Sequence, residues 1–232
     1  MVGAMRTSDD DGMSASPTRR AALRLLGLGA LGSIAPLAGL AAWLDSTAAE
    51  AQDGSDRAAL VARFEDGHLA ADSRLVHGAA GARVVGLVDA EFRRTIGTLL
   101  AFDAYSVTFA PWLRDVRVLS RSHGHARLYA TIELARSVAP TWVELDVVIR
   151  GAADGTHRVE MNRVRGELQK FYAAWQLVAT PGRVRTLASF ELAFVPPLAL
   201  PAGTVRSANL DAARVAFAGV RRAARARHGR RT

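Results

Sequence analysis

From Val116 onward the chain changes to short runs in which apolar and polar residues alternate: 116–119, 126–134, 142–149, 159–164, 171–178 and 186–194. A period of two predicts β-strands whose two faces meet different surroundings. Ser122-His123-Gly124-His125, Ala153-Asp154-Gly155 and Pro181-Gly182 fall between runs and suit tight turns, so these strands should pair as antiparallel neighbours. Upstream, a strand over 68–76 is followed by Gly78-Ala79-Ala80-Gly81, and a Val-rich strand over 82–88 comes next. Asp89 is placed to cap a helix in which Phe92, Ile96, Leu99 and Leu100 recur at helical spacing. Downstream, Val195-Pro196-Pro197 and Leu200-Pro201 break the last strand ahead of a helix over 202–227. Its Leu210, Ala213, Phe217, Val220 and Ala224 share one face.

This order, strand, helix, many strands, long amphipathic helix, predicts an α+β fold. A sheet that must cover one apolar helix is expected to curve around it. Alternation assigns the faces: Leu128, Ala130 and Ile132 point inward, and so do Val143, Leu145, Val147 and Ile149. Arg127, Tyr129, Thr131 and Glu133, with Trp142, Glu144, Asp146 and Arg150, point to water. In the run after Thr156, Met161 shares its face with Arg163 and Arg165 and alternates with Glu160, Asn162 and Val164, so neither face is cleanly apolar. Trp175, Phe190 and Phe217 are the large side chains expected on the inner wall.

The first 51 residues read differently. Ser16-Pro17-Thr18-Arg19-Arg20-Ala21-Ala22-Leu23-Arg24 resembles the bacterial twin-arginine export motif, with Arg19 and Arg20 as the arginine pair. An uncharged apolar stretch, 25–44, follows, and Ala49-Glu50-Ala51 offers small residues to a signal peptidase. Cleavage before Gln52 is expected; an uncleaved anchor is the alternative, since about 20 apolar residues span a bilayer. Either outcome places the folded part in the periplasm or cell envelope. Residues 52–81 then form a linker and an N-terminal strand extension, 82–226 a folded domain, and 227–232 a basic tail.

Half of the 232 residues are hydrophobic, enough for a packed core, and no cysteine occurs. Disulfides, thiolate metal sites and cysteine nucleophiles are therefore excluded. The net charge of +8 comes almost wholly from arginine, Lys170 being the one lysine. No recognisable nucleic-acid-binding motif accompanies that charge. The arginines 221, 222, 225, 227, 230 and 231 at the end of the last helix could contact an anionic membrane surface or simply offset the helix dipole.

The segment Leu99-Leu100-Ala101-Phe102-Asp103-Ala104-Tyr105-Ser106-Val107-Thr108-Phe109-Ala110-Pro111-Trp112 resembles the signature of the START/polyketide-cyclase superfamily, matching it at Asp103, Phe109, Pro111 and Trp112. Gly86-Leu87-Val88-Asp89-Ala90 resembles the family's opening strand, although Glu91 and Ser106 stand where prolines are usual. Gly166 to Trp175 and Leu200-Pro201 add weaker matches, and the resemblance covers about 82–226. It implies the helix-grip fold, with a cavity between the curved sheet and the C-terminal helix, but no single activity.

Catalytic patterns are scarce. His123 and His125 have a spacing that suits two metal ligands but lack a third, and they fit a solvated turn better. The chain has no G-x-S-x-G elbow, no dinucleotide fingerprint and no P-loop, which removes most support for hydrolase, dehydrogenase and NTPase readings. No cofactor or metal is expected. The expected ligand-binding set is Leu128, Val143, Leu145, Met161, Trp175, Phe190 and Phe217, with Arg163 and Tyr172 as the polar candidates. A carrier of an apolar molecule such as a lipid, isoprenoid or polyketide follows from these features. The alternative is a cyclase or dehydratase using the same cavity, for which Tyr172 and Arg163 would direct proton transfer.

Overall fold

Each alternating run forms a strand in the computed structural model, which describes residues 61–133, 140–151, 156–180, 182 and 184–226. The strands are β1 (Ala70–Val76), β2 (Ala79–Val88), β3 (Leu113–Ser122), β4 (His125–Ile132), β5 (Thr141–Gly151), β6 (Thr156–Gly166), β7 (Lys170–Ala179) and β8 (Thr186–Val195). They make one antiparallel sheet in the order β1-β2-β8-β7-β6-β5-β4-β3. Strands β3 to β8 are the expected meander, and the β1–β2 hairpin joins beyond β8, with Val84 opposite Phe190. The helices are α1 (Phe92–Leu99), α2 (Tyr105–Thr108) and the long α3 (Ala202–Ala226), with a 3-10 turn, Phe102–Ala104, between the first two.

Register breaks bend the sheet: β3 is irregular between Leu113 and Val116 and again between Val118 and Ser120, and the β5–β6 ladder slips between Glu144 and Leu145. Each slip adds twist locally, and the concave side closes over α3. Phe217 and Val220 of α3 are fully buried in the resulting core, beside Trp175 of β7. This is the helix-grip arrangement.

Polar contacts fix where the helix lies. Asn209 is fully buried and shares its amide among Ala80 O, Phe194 O and Val205 O, while accepting from Phe194 N–H. Arg221 donates to Leu87 O at 2.7 Å and Gly67 O at 2.9 Å, with its guanidinium 5.3 Å from the Phe217 ring. At Gly219 an added Cβ would lie 1.9 Å from Thr108 O, so the end of α2 approaches α3 more closely than any side chain permits.

Two sequence expectations need correction. The first hairpin turns at His77-Gly78, both with positive φ, so β2 starts at Ala79 and the alanines expected to end a strand begin one. Asp89 does not cap α1: the residue before the helix is Glu91, without a side-chain cap bond, and Asp89 pairs with Arg225 of α3. The cap is lost because Asp89 lies too far ahead of Phe92 and faces a cation of α3. The twin-arginine motif, the first part (52–60) of the stretch 52–81 read as linker and strand extension, and the basic tail 227–232 lie outside the described residues.

Candidate functional site

The inner faces of the strands and α3 do not meet everywhere. A cavity remains, with a volume of about 70 Å³, and its wall has three parts. The sheet contributes Leu128, Ala130 and Ile132 of β4, Leu145 of β5, Met161 of β6, Phe171, Ala173 and Trp175 of β7, and Phe190, Leu192 and Phe194 of β8. The helical segment and the start of β3 contribute Tyr105, Phe109, Trp112, Leu113 and Val116. The long helix contributes Ala212 and Ala216. These two alanines, one helical turn apart, set α3 back from the sheet and leave the space. Their neighbours Ala213 and Phe217 fill the adjoining core.

Among the described residues no charged side chain lies on this wall. Its polar atoms are one hydroxyl and two indole N–H groups. The Tyr105 hydroxyl donates to Leu99 O at 2.5 Å, and complete burial pushes the phenol far above its ordinary value, so it stays protonated with its proton engaged. Trp175, fully buried and stacked on Phe190 with centroids 4.3 Å apart, has a buried Nε1–H with no hydrogen-bond partner. An unpaired donor inside a core is costly, so an acceptor on a ligand would relieve this buried indole.

The expected ligand-binding residues fall into three groups. Leu128, Leu145, Met161, Trp175 and Phe190 stand on the wall. Val143 and Phe217 are fully buried but pack behind it, in the same core. Arg163 and Tyr172 are elsewhere. Tyr172 lies three residues from Trp175 in one strand and therefore on the opposite face, where it packs with Val76, Ala79, Ala174 and Ala193. Arg163 follows the last β6–β7 pair, Asn162 with Tyr172, and sits where those strands part.

Those two residues line a second depression, about 250 Å³, on the outer side of the sheet. Val76, Ala79 and Ala193 form its apolar floor, and His77, Asn162, Arg163, Gln169, Lys170, Phe171 and Tyr172 surround it. Phe171 borders both hollows.

Missed by the inward-alternation reading are the aromatic residues 105, 109 and 112 and the alanines 212 and 216. The aromatic group lay inside the quoted motif, so its signal was present. The alanines were invisible to a search for large wall residues, because a void is made by what is small. His123 and His125 flank Gly124 in the β3–β4 turn and both are exposed. Among the described residues no group of three acidic or imidazole side chains could hold a metal ion.

No family model matches the chain, and no curated protein resembles it in sequence. Solved structures do. A STAR-related lipid transfer protein from Xanthomonas axonopodis superposes with a TM-score of 0.57 at 15% identity, over 68% of this chain and 93% of that one. Human StAR-related lipid transfer protein 5 gives 0.54 at 11% identity, over 76% and 100%. A START superfamily protein from Mycobacterium smegmatis gives 0.51 at 14% identity, over 68% and 98%. Likeness at this level of identity shows a shared fold.

Proposed function

We propose that the protein binds or carries an apolar small molecule, of the lipid, isoprenoid or polyketide kind, in the cavity between the sheet and α3, and does so outside the cytoplasm. The observation that carries the reading is the wall itself: a continuous aliphatic and aromatic lining with, among the described residues, no charge, and with a buried unpaired donor, Trp175 Nε1. A lining of this kind rewards removal of apolar surface from water, and a single donor would orient one acceptor oxygen of the ligand. Two of the structural neighbours are named as lipid transfer proteins, which agrees with this reading.

The cavity volume sets a condition. A void of about 150 Å³ accepts benzene, and this one is about 70 Å³. A larger ligand must therefore displace part of the wall. Phe109, on the wall between α2 and β3 and outside the strand ladder, is the part to which dilation is assigned.

Proton-transfer chemistry has less to work with. The Tyr105 proton is already given to Leu99 O. The two polar residues considered for a cyclase, Arg163 and Tyr172, open onto the other hollow.

Export rests on the motif around Arg19 and Arg20. Native mass spectrometry of protein recovered from its own host tests the binding reading: an adduct should be released as an apolar molecule on denaturation. Preparations that are empty every time, with no uptake from lipid extracts, would overturn it.

A further inference from the structure

The outer depression has the composition of an anion site. Arg163 and Lys170 bring two positive charges to it, and Asn162 and Gln169 bring amides. Among the described residues on its lining there is no carboxylate. The acids nearest by charge are already answered: Glu160 by Arg158 at 2.7 Å and Arg150 at 3.1 Å, and Glu191 by Arg74 at 3.6 Å.

Two details show donors held in place without acceptors. Arg163 Nη2 donates to Gly166 O at 2.9 Å, which fixes the guanidinium, while its Nε is buried and has no partner. The Tyr172 oxygen accepts from Arg158 Nη2 at 3.0 Å, which leaves the phenolic proton for another acceptor. Burial raises the Tyr172 phenol above its ordinary value and keeps that proton on. The Tyr172 ring lies 3.9 Å from the His77 ring, so the side of the hollow is aromatic. His77 holds this position with a φ of +48°, a conformation that a histidine adopts at some cost.

From these contacts we infer that the outer depression binds a small organic anion: a carboxylate or phosphate monoester carried on a compact, preferably aromatic body. The oxyanion meets Arg163, Lys170 and the Tyr172 hydroxyl, and the body rests on the apolar floor beside His77. None of the polar residues of this site lines the apolar cavity, so this inference stands whether or not that cavity is occupied.

The test is amide NMR on the ¹⁵N-labelled full chain with benzoate, phenyl phosphate and the neutral control benzyl alcohol. Both anions should shift residues 76–79, 162–163 and 169–172 at millimolar concentrations, and benzyl alcohol should not. Arg163→Gln with Lys170→Gln should weaken benzoate at least tenfold. Lys170 is exposed, so Lys170→Gln alone should weaken binding about threefold with an unchanged Tm, which decides the matter if the double variant unfolds. Equal shifts by benzyl alcohol, or undiminished benzoate affinity in a folded variant, would overturn the inference. So would shifts seen with phosphatidylglycerol vesicles and with neither soluble anion, since the acceptor would then be a lipid headgroup.

Discussion

Asn209 of α3 answers both backbone groups of Phe194 in β8: the Phe194 N–H donates to Oδ1 at 2.9 Å, and Nδ2 donates to the Phe194 carbonyl at 3.1 Å. The side-chain amide thereby takes the part of a neighbouring strand, and it does so next to a residue whose ring faces the apolar cavity. One side chain thus sets the distance between helix and sheet at the cavity end. Asn209→Ala would leave the Phe194 N–H and C=O buried without partners, each costing about 1–3 kcal/mol, so a loss of about 2–6 kcal/mol is expected in denaturant unfolding. A change within about 0.5 kcal/mol, ordinary for a surface position, would show that the helix is not held there.

Phe217 makes the complementary apolar contact. Its ring is fully buried, 5.6 Å from that of Trp175. Phe217→Ala should cost about 3–5 kcal/mol through lost burial and the cavity left behind. Loss below about 1 kcal/mol would mean that α3 is not gripped.

Most of this fold was legible because each strand is amphipathic: the period of two at Leu128, Ala130 and Ile132 survives in the structure as three buried residues. The last helix was legible for the same reason at Phe217 and Val220. The wall was only partly legible. Leu145 and Met161 obey alternation, whereas Arg163, in register opposite Leu145, lines the other hollow because the β6–β7 pairing ends at Asn162. Asn209 was hidden because a polar residue on a helix reads as solvent-facing unless its backbone partners 15 and 129 positions away are known.

A pH effect should come from His157. It is partly buried, edge-on to Phe92 with ring centroids 6.1 Å apart, and burial holds its imidazole below the ordinary value. The folded state therefore takes up this proton later than the unfolded state as pH falls. Its contribution to stability is complete above the unfolded value of about 6.5 and declines as pH drops from there toward the folded value. His157→Phe should flatten the fall in Tm between about pH 7.5 and 5.5. Parallel pH profiles for the two proteins would assign that fall to other groups.

For export, a reporter fused to residues 1–60 should leave the cytoplasm, and Arg19→Lys with Arg20→Lys should abolish its passage by the twin-arginine route. Both substitutions keep the positive charge, so a general requirement for a basic segment would be unaffected and the arginine pair itself is tested. Undiminished export of the double variant, dependent instead on the general secretory pathway, would show that the motif is not read.

The cavity reading is tested most directly by filling the void. Ala130 is buried on β4, with its methyl group on the wall, and the space before it is small, about 70 Å³. Ala130→Leu adds three carbons, removes no hydrogen bond and leaves the strand's alternation intact. Its cost should stay within the roughly 1–3 kcal/mol of overpacking, and less where the void absorbs the new atoms. A ligand that enters between the sheet and α3 must then push against this side chain as well as Phe109 and Trp112. Loading measured by native mass spectrometry should fall at least tenfold while the melt remains cooperative. Ala216→Leu narrows the same space from the helix side and should act in the same direction. If both variants fold and carry as much apolar ligand as the parent, the ligand is not held between the sheet and the helix, and the outer surface becomes the place to look.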